Sequence, residues 1–232
     1  MVFFSWICHY LPLIGKKRHL AGMIMLNIPG GKMLMGSGAA DGKGGESPGK
    51  EVKVQPLRID KYPVTNADFR EFVRAQKYKS EAETFGWSFV FQDFVSDDLK
   101  SKVTQRIESA PWWLPVERAF WRQGSFPGRD TAEDGYHGIS PVTAFPAQNS
   151  YGLYDMMGNT WEWTSTPFPA AGKMYVLRGA SWIDTADGSA NHNARVTTRM
   201  GNTPDSASDN LGFRCAADNG QKPGKKKDKA EL

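Results

Sequence analysis

Two thiols, two imidazoles inside the body of the chain and a scatter of carboxylates are the groups that could do chemistry in these 232 residues. Cys8 and Cys215 are the only cysteines. They are too few for a disulfide scaffold and show no metal-ligand spacing. A Cys8–Cys215 bridge is the one intrachain pairing open to them. A non-haem iron site needs two His and a carboxylate on one face. His137 and His192 lie outside any such motif, so they read as isolated surface residues. The chain shows no nucleophile elbow, phosphate loop or zinc motif. At the far end, Lys229, Ala230, Glu231 and Leu232 match the Lys-Asp-Glu-Leu retrieval signal at three of four positions, which points to the endoplasmic reticulum lumen.

The elements that would position such groups are short. Gly (24) and Pro (14) are plentiful and eight Trp are present, a profile of a loop-rich fold packed by aromatic rings. Residues 24–36 read as strand, turn, strand, with Pro29, Gly30 and Gly31 at the turn. Thr65 can cap a helix over 66–76, with Phe69, Phe72 and Val73 on one face. Alternation at Trp87, Phe89 and Phe91 predicts a strand that buries three rings on one side. Further strands are expected over 52–54, 160–164, 176–182, 195–199 and 211–217. The fold class is α+β, with few helices, short strands and long loops.

The formal charge is +4, from 29 basic and 25 acidic side chains. Residues 219–232 carry five lysines against Asp228 and Glu231, so the body holds about +1. Nothing there suggests a face for nucleic acid; the tail reads as a disordered, solvated segment. Residues 1–22 form an atypical N-terminal segment, in which the apolar run 2–14 precedes Lys16, Lys17 and Arg18. That run is too short to span a membrane, and its charges lie on the wrong side for a signal peptide. The domain proper is 23–218.

Several blocks within 24–218 resemble the formylglycine-generating enzyme (sulfatase-modifying factor) family in order and spacing. They include Gly30, Gly31, Lys32, Met33, Leu34, Met35 and Gly36, then Trp112, Trp113, Leu114, Pro115 and Val116. Gly158, Asn159, Thr160, Trp161, Glu162 and Trp163 form another, as do Arg178, Gly179, Ala180, Ser181 and Trp182. The last ends in Asn210, Leu211, Gly212, Phe213, Arg214 and Cys215. Active members of this family oxidise a sulfatase cysteine to formylglycine. The resemblance implies two thiols that bind copper and exchange with the substrate thiol. Asp184 and Asn191 occupy those positions here. Hard oxygen donors supply neither chemistry, so no copper and no catalytic residue are expected, and the chain is similar to the family's non-catalytic members.

The resemblance also implies a peptide cleft lined by Trp161, Ser181 and Arg195. It implies calcium held by the Asp155 and Glu162 side chains with the Gly158 and Thr160 carbonyls. Residues 158, 160 and 162 on one strand would aim their groups the same way, and such oxygens suit Ca²⁺. The alternative is a buried strand with Glu162 paired to a basic side chain. A second calcium site would use Asp134 and the Tyr136 carbonyl, but its other half has no counterpart here. That half belongs to a family block of about sixty residues missing near 123/124, and with it core surface and the family partner of Cys215. An unpaired Cys215 thiol follows from that loss. The partners implied are sulfatases, the active formylglycine-generating enzyme in a heterodimer, and a second copy in a homodimer, with inhibition as the outcome. A calcium-dependent lectin-like module and an oxidoreductase of another mechanism are the alternatives. Such a gap near 123/124 is expected of an alternatively spliced product or of a misassigned sequence.

Overall fold

The computed structural model describes residues 24–38, 48–121, 135–169, 172–185 and 192–219. The N-terminal segment, Asp134, Asn191 and the C-terminal tetrapeptide lie outside these residues.

Strands β1 (Met25–Ile28) and β2 (Gly31–Met35) flank the Pro29, Gly30 turn. Gly30 is obligatory there, because an added Cβ would stand 2.7 Å from the Pro56 ring. β2 pairs antiparallel with β3 (Lys50–Val54), while β1 pairs with β4 (Leu57–Asp60). The last strand among the described residues, β11 (Ala216–Asp218), closes this second sheet on the other side of β4, in the order β1-β4-β11. The two ends of the domain are therefore sewn together through one central strand.

Helix α1 (Asn66–Gln76) runs over the residues that the sequence marks out. Thr65 caps it: the Asp68 amide donates to Thr65 Oγ1 at 3.2 Å, and the Thr65 amide donates to Asp68 Oδ2 at 3.1 Å. This reciprocal pair satisfies two otherwise orphaned amides. Ser80 and Glu83 repeat it at α2 (Glu81–Phe85), a helix the periodicity does not reveal because it is one turn long. A second short helix, α3 (Asp97–Lys100), was equally silent.

The strand at 87–91 is present as β5 (Trp87–Phe91), paired antiparallel with β6 (Trp113–Glu117). Its faces are the reverse of the expectation. Ser88 and Val90 are buried, whereas Trp87 is 38% exposed and Phe89 and Phe91 are half-buried. Val90 joins the buried cluster of Phe94, Val95, Leu114, Val116 and Ala119, with Phe91 and Trp182 packed against it. Phe91 meets Trp182 and Trp113 edge-on, at 5.1 and 5.7 Å between centroids. A second cluster joins Phe72, Val73 and Cys215, and a third joins Trp161, Leu177 and Ala180.

The functional region rests on a four-stranded sheet ordered β10-β7-β8-β9. β7 (Trp161–Pro167) lies antiparallel to β8 (Tyr175–Arg178) and parallel to β10 (Leu211–Gly212). β9 (Met200–Asn202) flanks β8. No strand forms over 195–199, whose residues make a turn instead. The long last strand is divided into β10 and β11, because Arg214 and Cys215 turn inward between them. Among the described residues no helix is long and apolar enough to cross a membrane.

Candidate functional site

The chain enters β7 through a sharp bend. Gly158 has φ +88° and Asn159 φ +62°, the left-handed region that glycine and asparagine tolerate best. The Gly158 amide donates to the Gly179 carbonyl at 2.8 Å, pinning the bend to the end of β8. Residues 158 and 160 are therefore outside the strand that holds 162. The strand alternation expected to aim all three groups alike applies only from Trp161 onward.

Just past β8, the backbone turns at Gly179 and Ala180, both at positive φ, and delivers Ser181 into the interior at 2% exposure. Asp184 then folds back on it. Asp184 Oδ2 accepts from the Ser181 amide at 2.7 Å and from Ser181 Oγ at 2.6 Å. Its other oxygen, Oδ1, accepts from the His192 amide at 3.0 Å. Asn210 Nδ2 donates to Ser181 Oγ at 3.2 Å, and Ser208 Oγ donates to Asn210 Oδ1 at 2.7 Å. The carboxylate thus clasps the neck of the loop between 184 and 192. The Ala194 amide, donating to the Thr185 carbonyl at 2.8 Å, reinforces the same closure.

Trp161 is fully buried below this clasp, with its ring 5.7 Å from the His192 ring, edge to face. Its Nε1 has no hydrogen-bond partner among the described residues. Arg195 is half-buried beyond the loop neck. The structure therefore gathers Trp161, Ser181, Asp184 and His192 into one region. Trp161 and Ser181 serve there as interior residues and present no surface to a peptide. Nor are the histidines the surface residues that isolation in the sequence suggests. His192 is half-buried on Trp161, and the half-buried His137 ring meets Phe94 edge-on at 4.5 Å.

The residue that sequence reasoning missed is Arg214. Its guanidinium is 4% exposed and takes both oxygens of Glu162, with Nε donating at 2.9 and 2.8 Å and Nη2 also engaging Oε1. Nη2 donates at 2.7 Å to the Tyr154 carbonyl and at 3.2 Å to that of Asp155. Nη1 reaches the carbonyls of Asp60 and Lys61 at 3.3 and 3.4 Å. One cation thereby ties β4, the 154–155 loop and β7 together. A guanidinium between Phe213 and Cys215, in an otherwise apolar run, was the available signal: a buried Arg needs a buried carboxylate.

The calcium set can be tested against this geometry. Asp155 Oδ2 accepts from Asn159 Nδ2 at 3.1 Å, and Asn159 is itself held by both backbone groups of Ser140. Burial pushes the Asp155 carboxyl above its usual range, while Asn159 and the Arg214 charge pull it back. Burial likewise raises Glu162, against the hydrogen bonds and charge of Arg214. Both acids are thus served by a guanidinium that already stands where a cation would. Ca²⁺ takes six to eight oxygens; the Asp155 and Glu162 side chains with the Gly158 and Thr160 carbonyls would supply part of that set, and Arg214 engages both oxygens of Glu162. The basic-partner alternative for Glu162 is the one displayed. Tyr136 lies among the described residues with its ring 5.9 Å from that of Phe145.

Cys215 is disulfide-bonded. This corrects the expectation of an unpaired thiol at Cys215. Cys215 is 3% exposed, and its amide donates to Asp60 Oδ2 at 3.0 Å.

These features can be set beside known proteins. The profile of the sulfatase-modifying factor enzyme 1-like domain matches residues 12–129 and, overlapping them, 108–219. The chain belongs to this family of formylglycine-generating-enzyme-like proteins. Within it, the chain is 51% identical to inactive C-alpha-formylglycine-generating enzyme 2 of Bos taurus, across 86% of this chain and 90% of that one. The counterpart in Mus musculus is 48% identical over 88% of both chains. The formylglycine-generating enzyme of Mus musculus is more distant, at 33% identity over 89% of this chain and 78% of its own. Among solved structures, PvdO from Pseudomonas aeruginosa shares the fold with a TM-score of 0.51, 20% identity and coverage of 84% and 94%.

Proposed function

We propose that this chain is a non-catalytic member of its family that binds the active formylglycine-generating enzyme or its sulfatase clients in the endoplasmic reticulum lumen and restrains formylglycine formation. The observation that carries the proposal is Asp184. At a position the family resemblance gives to a thiol, it spends both oxygens on Ser181 and His192. A carboxylate so engaged is a clasp for a loop, and it has no thiol exchange and no soft-metal affinity to offer. Relatives at 51% and 48% identity that bear the name inactive support the same reading.

Because Trp161 and Ser181 are buried, the region offers a sulfatase peptide little to hold. Between the two partners, the proposal therefore favours the active enzyme, joined through a heterodimer. The alignment with the Bos taurus protein runs over 270 positions but takes in 86% of this chain's 232 residues, about 200. We read the difference, about 70 positions, as the stretch missing near 123/124.

The test mixes the expressed chain with an active formylglycine-generating enzyme and a sulfatase-derived Cys peptide. Slower aldehyde formation and a co-eluting heterodimer support the proposal. An unchanged rate at a tenfold excess of this chain overturns the inhibitory part. The place in the cell is read separately, by placing a signal peptide ahead of the whole chain. Retention that is lost on removing residues 229–232 supports retrieval, and secretion with the tail intact contradicts it.

A further inference from the structure

Strands β2 and β3 form a two-stranded ribbon of their own. Among the described residues, no other element supplies a backbone hydrogen bond to the outer edge of β3. A lone two-stranded ribbon is marginally stable, and an open edge is a template for a further strand. Alternation puts Met33, Met35, Val52 and Val54 on one face of the ribbon, with Met33 directly opposite Val52. Met33 is 49% exposed. The other face carries Lys32, Leu34, Glu51 and Lys53. There Glu51 Oε1 takes Lys32 Nζ at 2.9 Å. Lys53 stands directly opposite Lys32, like charge against like, and makes no ion pair with any described residue.

We propose that the open edge of β3 is a self-association surface, where β3 of a second copy of this chain adds antiparallel about a two-fold axis at Val52. The strand reads Lys50, Glu51, Val52, Lys53 and Val54. Centred on Val52, the pairing sets each Glu51 opposite the other copy's Lys53, and each Val52 opposite its own counterpart. Lys53 thereby gains the carboxylate it lacks. A one-residue slip is excluded, because it would set side chains of opposite faces against one another. A two-residue slip sets Glu51 against Glu51, or Lys53 against Lys53. Charge therefore selects one register.

Edge lysines commonly keep strands apart. Here Glu51 lies on the same face as Lys53, two positions away, and that spacing turns repulsion into a match. On the opposite face, Met33, Val52, Val52 and Met33 make an unbroken apolar strip across four strands in the order β2-β3-β3-β2. Each strand is only five residues long, so the contact is small and the dimer dissociates on dilution.

The experiment is analytical ultracentrifugation of the full chain from about 1 to about 200 µM. No active enzyme is present, so the outcome is independent of the inhibition proposed above. The parent should show a reversible monomer–dimer equilibrium. Glu51→Lys sets lysine against lysine and should weaken dimerisation by roughly tenfold or more. Lys53→Glu should do the same. Mixed one to one, the two singly substituted chains should pair with each other, and the double variant Glu51→Lys, Lys53→Glu should regain the parent's affinity. A ribbon that was merely destabilised would not be rescued by mixing. A parent that stays monomeric throughout the range, a dimer indifferent to Glu51→Lys, or no association in the mixture would overturn the proposal. Should a single variant fail to fold, hydrogen exchange at the β3 amides of the parent decides. Protection that rises with concentration supports the pairing, and constant protection overturns it.

Discussion

Asp184 and Arg214 show how single side chains redirect a family's site. Asp184 receives three hydrogen bonds across the neck of one loop. Hydrogen bonds to a charged group contribute roughly 1.5–3 kcal/mol each, less when they share one acceptor. Asp184→Ala is predicted to lower stability by about 2–4 kcal/mol and to speed amide exchange at His192. Asp184→Asn should do less damage, since one oxygen remains. Glu162 and Arg214 form a buried pair in which loss of one partner strands the other's charge. Glu162→Ala is predicted to cost about 3–5 kcal/mol, and Glu162→Leu with Arg214→Met to recover most of it. Calcium should leave the melting temperature of the unaltered chain unchanged. A calcium-dependent rise that vanishes in Glu162→Ala would restore the ion to the site. Asp209 adds a pH dependence. Burial raises its carboxyl to about 7, against hydrogen bonds from the amides of Phe91 and Asp209 itself. The folded chain thus holds a proton that the unfolded chain releases near pH 4. Stability falls as pH rises through that window, by up to about 4 kcal/mol, and levels off above it. Thermal melts should give a higher midpoint at pH 5 than at pH 7.5, with the difference reduced in Asp209→Asn.

At the scale of elements, what the sequence made legible was what local chemistry decides. Thr65 as a cap, and apolar side chains at helical spacing, defined α1. The Pro29, Gly30 turn set β1 and β2. The inverted faces of β5 were not legible, because alternation says that a strand has two faces and not which one meets the core. The pairing decided it: Ser88 and Val90 stand opposite Val116 and Leu114 of β6, the residues that join the buried cluster. The clasp at Asp184 was equally hidden, since hydrogen bonds from Ser181 and His192 depend on a loop closure with no periodic signature. Position 184 was found through family likeness, and its role came from geometry. Loss of the cap is predicted to be local. Thr65→Ala should cost about 1 kcal/mol, read as a small fall in urea midpoint with an unchanged slope.

For the whole molecule, the first and last strands meet through β4, and Arg214 and Cys215 secure the junction from within. This arrangement joins the two ends of the domain through one strand. The chain belongs to the family, and Asp184 is engaged as a clasp, which is why binding and restraint is the function proposed. The most direct test is incubation of the purified full chain with a sulfatase-derived Cys peptide, copper and oxygen, followed by mass spectrometry for the aldehyde. The predicted result is no conversion of cysteine to formylglycine above the protein-free control, at any copper concentration that supports an active relative. Turnover that depends on this chain and is abolished by Asp184→Ala would contradict the reading of Asp184 as a clasp in a non-catalytic site.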